Sequence, residues 1–213
     1  MEHIMKGYLP PMDPEKLKAL FEIENAFKAG QLSADEARLQ IKQRVGKVSA
    51  YHVAYIEQTM TEESSDECIR EDVHAIINML GDQIDNTLPN LPANHPIMHY
   101  LKENEEMKRL LLAVEDLVQY PMIKNQWLEL YDKISQYPLH YKRKQNQLYP
   151  VLERKGFTRP TTTMWTFDDM VRDEIREAER LLREDKEDAF IKQQERVLLY
   201  ARDLMEKEEF ILY

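Results

Sequence analysis

Four separated stretches, residues 95–107, 140–153, 164–175 and 200–213, each set a histidine, carboxylate or amide into an otherwise apolar stripe of helical spacing. Packed helices that point such groups inward build a polar or metal-binding core, so this pattern restricts the chain to an all-α, bundle-like solution. The wider composition agrees. Only five of the 213 residues are glycine, and Glu, Lys, Leu, Met, Gln and Arg outnumber β-branched residues, which favours helix throughout and predicts no sheet.

The helix signals divide the chain. Asp13-Pro14 starts a helix that runs to about Ala29 and is stopped by Gly30. Ser33 to Glu36 is a capping box that opens a second. Ser49 can start a third through about Met60, and Ser64 or Ser65 a fourth, with Ile69, Val73, Ile76 and Leu80 on one face. The stretch from Thr87 to Pro96, with prolines at 89, 92 and 96, is the clearest break. It predicts a small helical unit over 1–86 followed by a four-helix bundle over 87–213.

Charge narrows the function classes. Twenty-nine basic against thirty-nine acidic side chains give a formal charge of −10, which repels nucleic-acid phosphates and anionic membrane surfaces. Lys142, Arg143 and Lys144 form the one basic cluster, and three cations in one turn read as a solvated helix face. The longest apolar runs, such as Leu110 to Val114, fall far short of the roughly 18 residues of a spanning helix. Met1 to Pro11 lacks the apolar core of a signal peptide, so a cytoplasmic location is expected. The single cysteine, Cys68, reads as a core or surface thiol.

Counting at about 100° per residue assigns the inward groups. On the first bundle helix, Met107, Leu110, Val114 and Leu117 form a stripe that also carries Glu103 and His99, with Asn104 beside it. On the second, His140 shares a side with Val151, while Gln145 falls with Tyr141, Leu148 and Leu152. On the third, Asp168 joins Val171, Ile175, Ala178 and Leu182, either as a ligand or as a first-turn carboxylate held by the helix dipole. On the fourth, Glu208 lies with Val197, Ala201, Leu204 and Ile211, and Glu209 turns away. Buried polar groups must be paired or bound to metal. Carboxylates converging on histidines suit iron or manganese better than zinc.

The strings HPIMHYLKEN, HYKRKQNQLYP, MWTFDD and EKEEFILY, in that order, resemble bacterial hemerythrin-like (HHE cation-binding) proteins. VSAYHVAYIEQTM at 48–60 and EDVHAIINML at 71–80 match the subgroup whose N-terminal segment is called domain of unknown function 438. The resemblance implies an all-helical fold, a hemerythrin-like up-down four-helix bundle after a small N-terminal unit, and a non-haem iron centre of one or two ions. The metal candidates are His99, Glu103, His140, Asp168 and Glu208, with His74, His95 and Gln145 behind them. The departures are equally specific. Glu103-Asn104 stands where such sequences have an E-H pair, Asp168 and Leu204 occupy histidine places, and Gln145 replaces the subgroup's usual glutamate. Relatives continue from this point into a PAS domain, whereas this sequence ends at Tyr213; either it is a piece of a longer protein or it signals without that domain.

The first expectation is thus a non-enzymatic metal-binding domain that senses or carries oxygen, nitric oxide or iron and works with a PAS-type or other signalling partner. The alternative is a helical interaction or signalling protein that holds no metal, with Asn104, Gln145 and Leu204 at ligand places as its support. A di-iron redox enzyme acting on oxygen or peroxide is a third reading. It would need an electron supply and an open coordination position.

Overall fold

The computed structural model describes residues 13–59, 75–85, 87 and 90–213. Its regular structure is almost wholly helical, and the chain forms two compact units. The first comprises Met1–Thr87, Leu152–Thr163 and Phe210–Leu212, the second Leu88–Val151, Met164–Glu209 and Tyr213.

In the first unit, helix α1 (Pro14–Lys28) begins with Asp13 accepting from the Glu15 N–H, and α2 (Ala34–Arg44) begins with the full Ser33–Glu36 capping box. Helix α3 (Ala50–Thr59) and the helical residues 75–80, here α4, follow. The Ser64 or Ser65 start, Ile69, Val73 and Cys68 lie outside the described residues. Leu20, Ile23, Ile41, Val48, Ile56, Met79, Leu80 and Ile84 make an aliphatic core. One expectation fails on a small scale: Val48–Ser49 (β1) pairs in parallel with Ile84–Asp85 (β2). Val48 and Ile84 are β-branched and buried, so two residues of strand suffice to satisfy backbone between helix ends.

The second unit is built from α5 (Pro96–Leu117), α6 (Lys124–Ile134), α7 (Pro138–Arg143), α8 (Tyr149–Arg154), α9 (Thr158–Arg183) and α10 (Glu187–Lys207), with α8 and α9 beginning or ending in residues of the first. His95 caps α5, its Nδ1 accepting from the Ile97 N–H at 3.3 Å. Trp127 and Tyr131 each pack edge to face with Phe190, and Tyr131 donates to the Gln194 amide oxygen at 2.7 Å. Surface ladders tie α9 to α10 through Arg196–Glu174 and α10 to α5 through Arg202–Glu115.

Two widened π turns break the regular helices, Lys144–Leu148 (π1) between α7 and α8 and Glu208–Leu212 (π2) after α10. Pro150 has no N–H to give residue 146, and the ladder ahead of it opens, so that the Tyr149 N–H reaches Lys144 five residues back. The phase of the helix therefore lags. Tyr149 turns fully inward and Val151 is 39% exposed, which corrects the expectation that Val151 shares the inner side with His140.

Candidate functional site

At one end of the second unit, π1 and π2 each begin with a charged residue that has no exposed side-chain surface, Lys144 and Glu208, and the two are ion-paired. The Lys144 Nζ also donates to Asp168 Oδ1 at 2.6 Å, and Asp168 too is fully buried. One ammonium thus joins carboxylates from α9 and the end of α10. Helix stripes bring them there. Lys144 follows Tyr137 and Tyr141 at helical spacing, Asp168 lies beside Phe167 and Val171, and Glu208 follows Ala201 and Leu204.

Around this centre every oxygen of Asp168, Glu208 and Glu103 has a donor. Asp168 Oδ2 accepts from the Tyr149 hydroxyl at 2.8 Å and from Gln145 Nε2 at 3.3 Å. Glu208 Oε2 accepts from Asn104 Nδ2 at 2.8 Å, and the Asn104 carbonyl accepts from the Tyr137 hydroxyl at 2.8 Å. His140 presents Nε2 to Glu208 Oε1 at 3.3 Å and Nδ1 to Glu103 Oε2 at 2.8 Å. Arg143 closes on the other Glu103 oxygen at 2.5 Å. Tyr213 stacks on Tyr100 and brings its hydroxyl to 3.3 Å from His140 Nε2. The Tyr141 hydroxyl differs: Tyr141 is 1% exposed and its oxygen has no hydrogen-bond partner.

The charges balance: His140, Lys144 and Arg143 face Glu103, Asp168 and Glu208. Burial opposes the charge on Lys144, but the Asp168 and Glu208 carboxylates outweigh it and raise the ammonium above its ordinary value. Burial opposes His140 likewise, and the Glu208 charge with the hydrogen bonds the imidazole donates to both glutamates lifts it. The two carboxylates part company. Burial would raise Glu208, but Lys144 and His140 pull it down to about 2. Asp168 has a single cation, and burial together with repulsion from Glu208 pushes it up to about 6. Both compete for one ammonium, so they titrate as a pair. Burial holds Tyr137, Tyr149 and Tyr213 well above their ordinary range, which keeps them neutral donors.

Glu103, His140, Asp168 and Glu208 therefore belong to one connected network, with Asn104 and Gln145 as amide members. His99 does not. It is exposed, because the buried stripe of α5 runs through Tyr100, Asn104, Met107, Leu111 and Val114 and leaves His99 about 100° from its centre. His95 serves as a helix cap, and His74 lies outside the described residues. Asp168 is no first-turn carboxylate, since α9 starts at Thr158, ten residues earlier. Reading Lys142 to Lys144 as a solvated face missed the central residue. Lys142 and Arg143 are exposed, but Lys144 is not. The signal was present in the spacing Tyr137, Tyr141, Lys144, which sets a lysine on an aromatic stripe.

An iron centre does not fit these residues as they stand. The position between Asp168 and Glu208 is taken by an ammonium, which offers three donors and no lone pair. A cation beside Lys144 and a charged His140 would be repelled. Among the described residues, no three His, Cys, Asp or Glu side chains are spaced to hold one metal ion. No protein-family model matches the sequence, and neither curated proteins nor solved structures give a match. Among the described residues, no helix is long and apolar enough to cross a membrane.

Proposed function

We propose that this chain is a metal-independent helical interaction or signalling module, a hemerythrin-like up-down bundle whose polar centre is neutralised by its own lysine. The observation that carries this reading is the Lys144 ammonium bonded to both Asp168 and Glu208 with no exposed surface on any of the three. A buried carboxylate pair needs a cation, and here the cation is covalently part of the chain. Such a centre is always occupied. It fixes the facing of three helical segments without depending on iron supply, which suits a scaffold that presents its outer surface to a signalling partner, a PAS-type domain among them.

The test is metal content and its consequence. Protein purified without chelator should carry no stoichiometric iron, manganese or zinc, and its thermal midpoint should be unchanged by a chelator. A second reading, an iron domain that senses oxygen, nitric oxide or iron, is favoured by the gathering of Glu103, His140, Asp168 and Glu208 in one network. Iron that resists dialysis, with a midpoint that collapses on chelation, would establish it and displace the first.

A further inference from the structure

We infer that π2 is a relay between the charged centre and the first unit's core: one five-residue turn serves both, so a change in either alters the other. The inference goes beyond the metal-independent reading and does not depend on it. It concerns what passes along the chain, whereas the chelator test above reads what fills the centre.

The turn is pinned at both ends by one imidazole. Glu208, its first residue, has no exposed side-chain surface and sets Oε1 3.3 Å from His140 Nε2. Tyr213 closes the turn, donating its N–H to the Glu208 carbonyl at 2.9 Å. It stacks on Tyr100 and brings its hydroxyl to 3.3 Å from the same His140 nitrogen. The i−5 bond is what lets both residues reach His140. In an α-helix Tyr213 would lie about 140° around the axis from Glu208; the wider turn returns it to the Glu208 side.

Between its pinned ends the same turn supplies the first unit. Phe210–Leu212 belong to that unit, and Ile211 packs against the aliphatic core that holds Leu20, Ile41 and Leu80. Two residues separate Ile211 from Glu208 and one separates it from Tyr213. A π turn is rare, and this one persists because the contacts at its ends and its middle are made together. A slip toward α geometry re-aims Ile211 and Tyr213 relative to Glu208, whose carboxylate is held by Lys144 and Asn104. That slip is the two-state element that coupling requires: the centre biases it through Glu208 and Tyr213, the core through Ile211. Linkage makes the effect reciprocal.

Native-state hydrogen exchange on the full chain tests the outward direction, read at the Leu20, Ile41 and Leu80 amides. Tyr213→Leu and Lys144→Met should each speed their exchange about 5–150-fold. Phe190→Leu, at the opposite end of the second unit against Trp127 and Tyr131, is the control for lost stability and should leave these amides unchanged. Tyr213→Phe removes only the hydroxyl and should speed them about 5-fold; it carries the test if Lys144→Met does not fold. For the return direction, Ile211→Ala should displace the His140 ring resonances in NMR spectra, and Ile211→Val, which keeps the branched shape, should leave them near their wild-type positions.

Unchanged exchange in both Tyr213 variants overturns the inference, because nothing then passes through π2. An equal rise in Phe190→Leu overturns it as well, since global stability alone would account for the change. His140 resonances indifferent to Ile211→Ala remove the reciprocity and with it the relay.

Discussion

The two ends of the second unit solve the same packing problem in opposite ways. Near the start of α10, Phe190 meets Trp127 and Tyr131, and the buried side-chain hydrogen bonds there are neutral: Tyr131 donates to Gln194, whose amide donates to the Phe190 carbonyl. Eighteen residues on, about 27 Å along the helix, Glu208 enters a centre of three anions and three cations. The first end shows that this sequence can close its core with aromatic and aliphatic groups. The charged end is therefore not forced by the fold. Hydrophobic replacement of a buried ion group is often neutral or stabilising, so the centre is best understood as fixing which side chains meet there.

The sharpest way to break this contrast is to remove one charge. Lys144→Ala should cost about 3–5 kcal/mol in urea denaturation, because it strands two buried carboxylates. Replacing all three charges, as Lys144→Met with Asp168→Asn and Glu208→Gln, should recover most of that. If the single variant is as stable as wild type, the three charges are not coupled through Lys144.

Acid comes next. Glu208 is held down to about 2, so its contribution is complete above its ordinary value and is lost as pH falls through about 2. The amount is on the order of 3 kcal/mol. Asp168, held up to about 6, acts with the opposite sign: its term is present below its ordinary value and is lost as pH rises through about 6. Carboxyl NMR should find one of the pair still ionised at pH 3.5 and the other changing near pH 6. Both titrating together near 4 would dissolve the asymmetry between them.

Smaller effects compare the ends directly. Tyr149→Phe removes a donor to a carboxylate and should cost about 1.5–3 kcal/mol, while Tyr131→Phe removes a neutral bond and should cost about 1 kcal/mol. Equal costs would mean that Asp168 is not relying on Tyr149. Smallest of all, His99→Ala on the exposed face of α5 should stay within about 0.5 kcal/mol in the same denaturation assay.

The helical class was plain in the sequence because glycine is scarce and the caps are explicit: Asp13, Ser33 with Glu36, and Pro96 all open helices where they stand. Glu103, His140, Asp168 and Glu208 could be placed inward by counting, since a carboxylate on an apolar stripe stands out. Lys144 could not, because it was weighed with its exposed neighbours Lys142 and Arg143 and not with Tyr137 and Tyr141. The position of Tyr149 was beyond reach for another reason. Counting assumes a constant 100° step, and π1 violates it. His99 was misplaced for a different reason: the stripe was centred through Leu110 and Leu117, which are only half-buried, and not through Tyr100, Asn104 and Leu111, which are buried.

The widened turn at 144–148 has a practical corollary. It stores one residue more than an unbroken helix would need between Arg143 and Tyr149, and Asn146, exposed and bonded to the Lys142 carbonyl, is the surplus. Excising Asn146 should let the i−4 ladder close up while the phenol of Tyr149 still points at Asp168. A shortened protein with an intact centre would show that the irregularity is storage for spare length, placed where the chain can lose it without re-aiming the aromatic ring downstream.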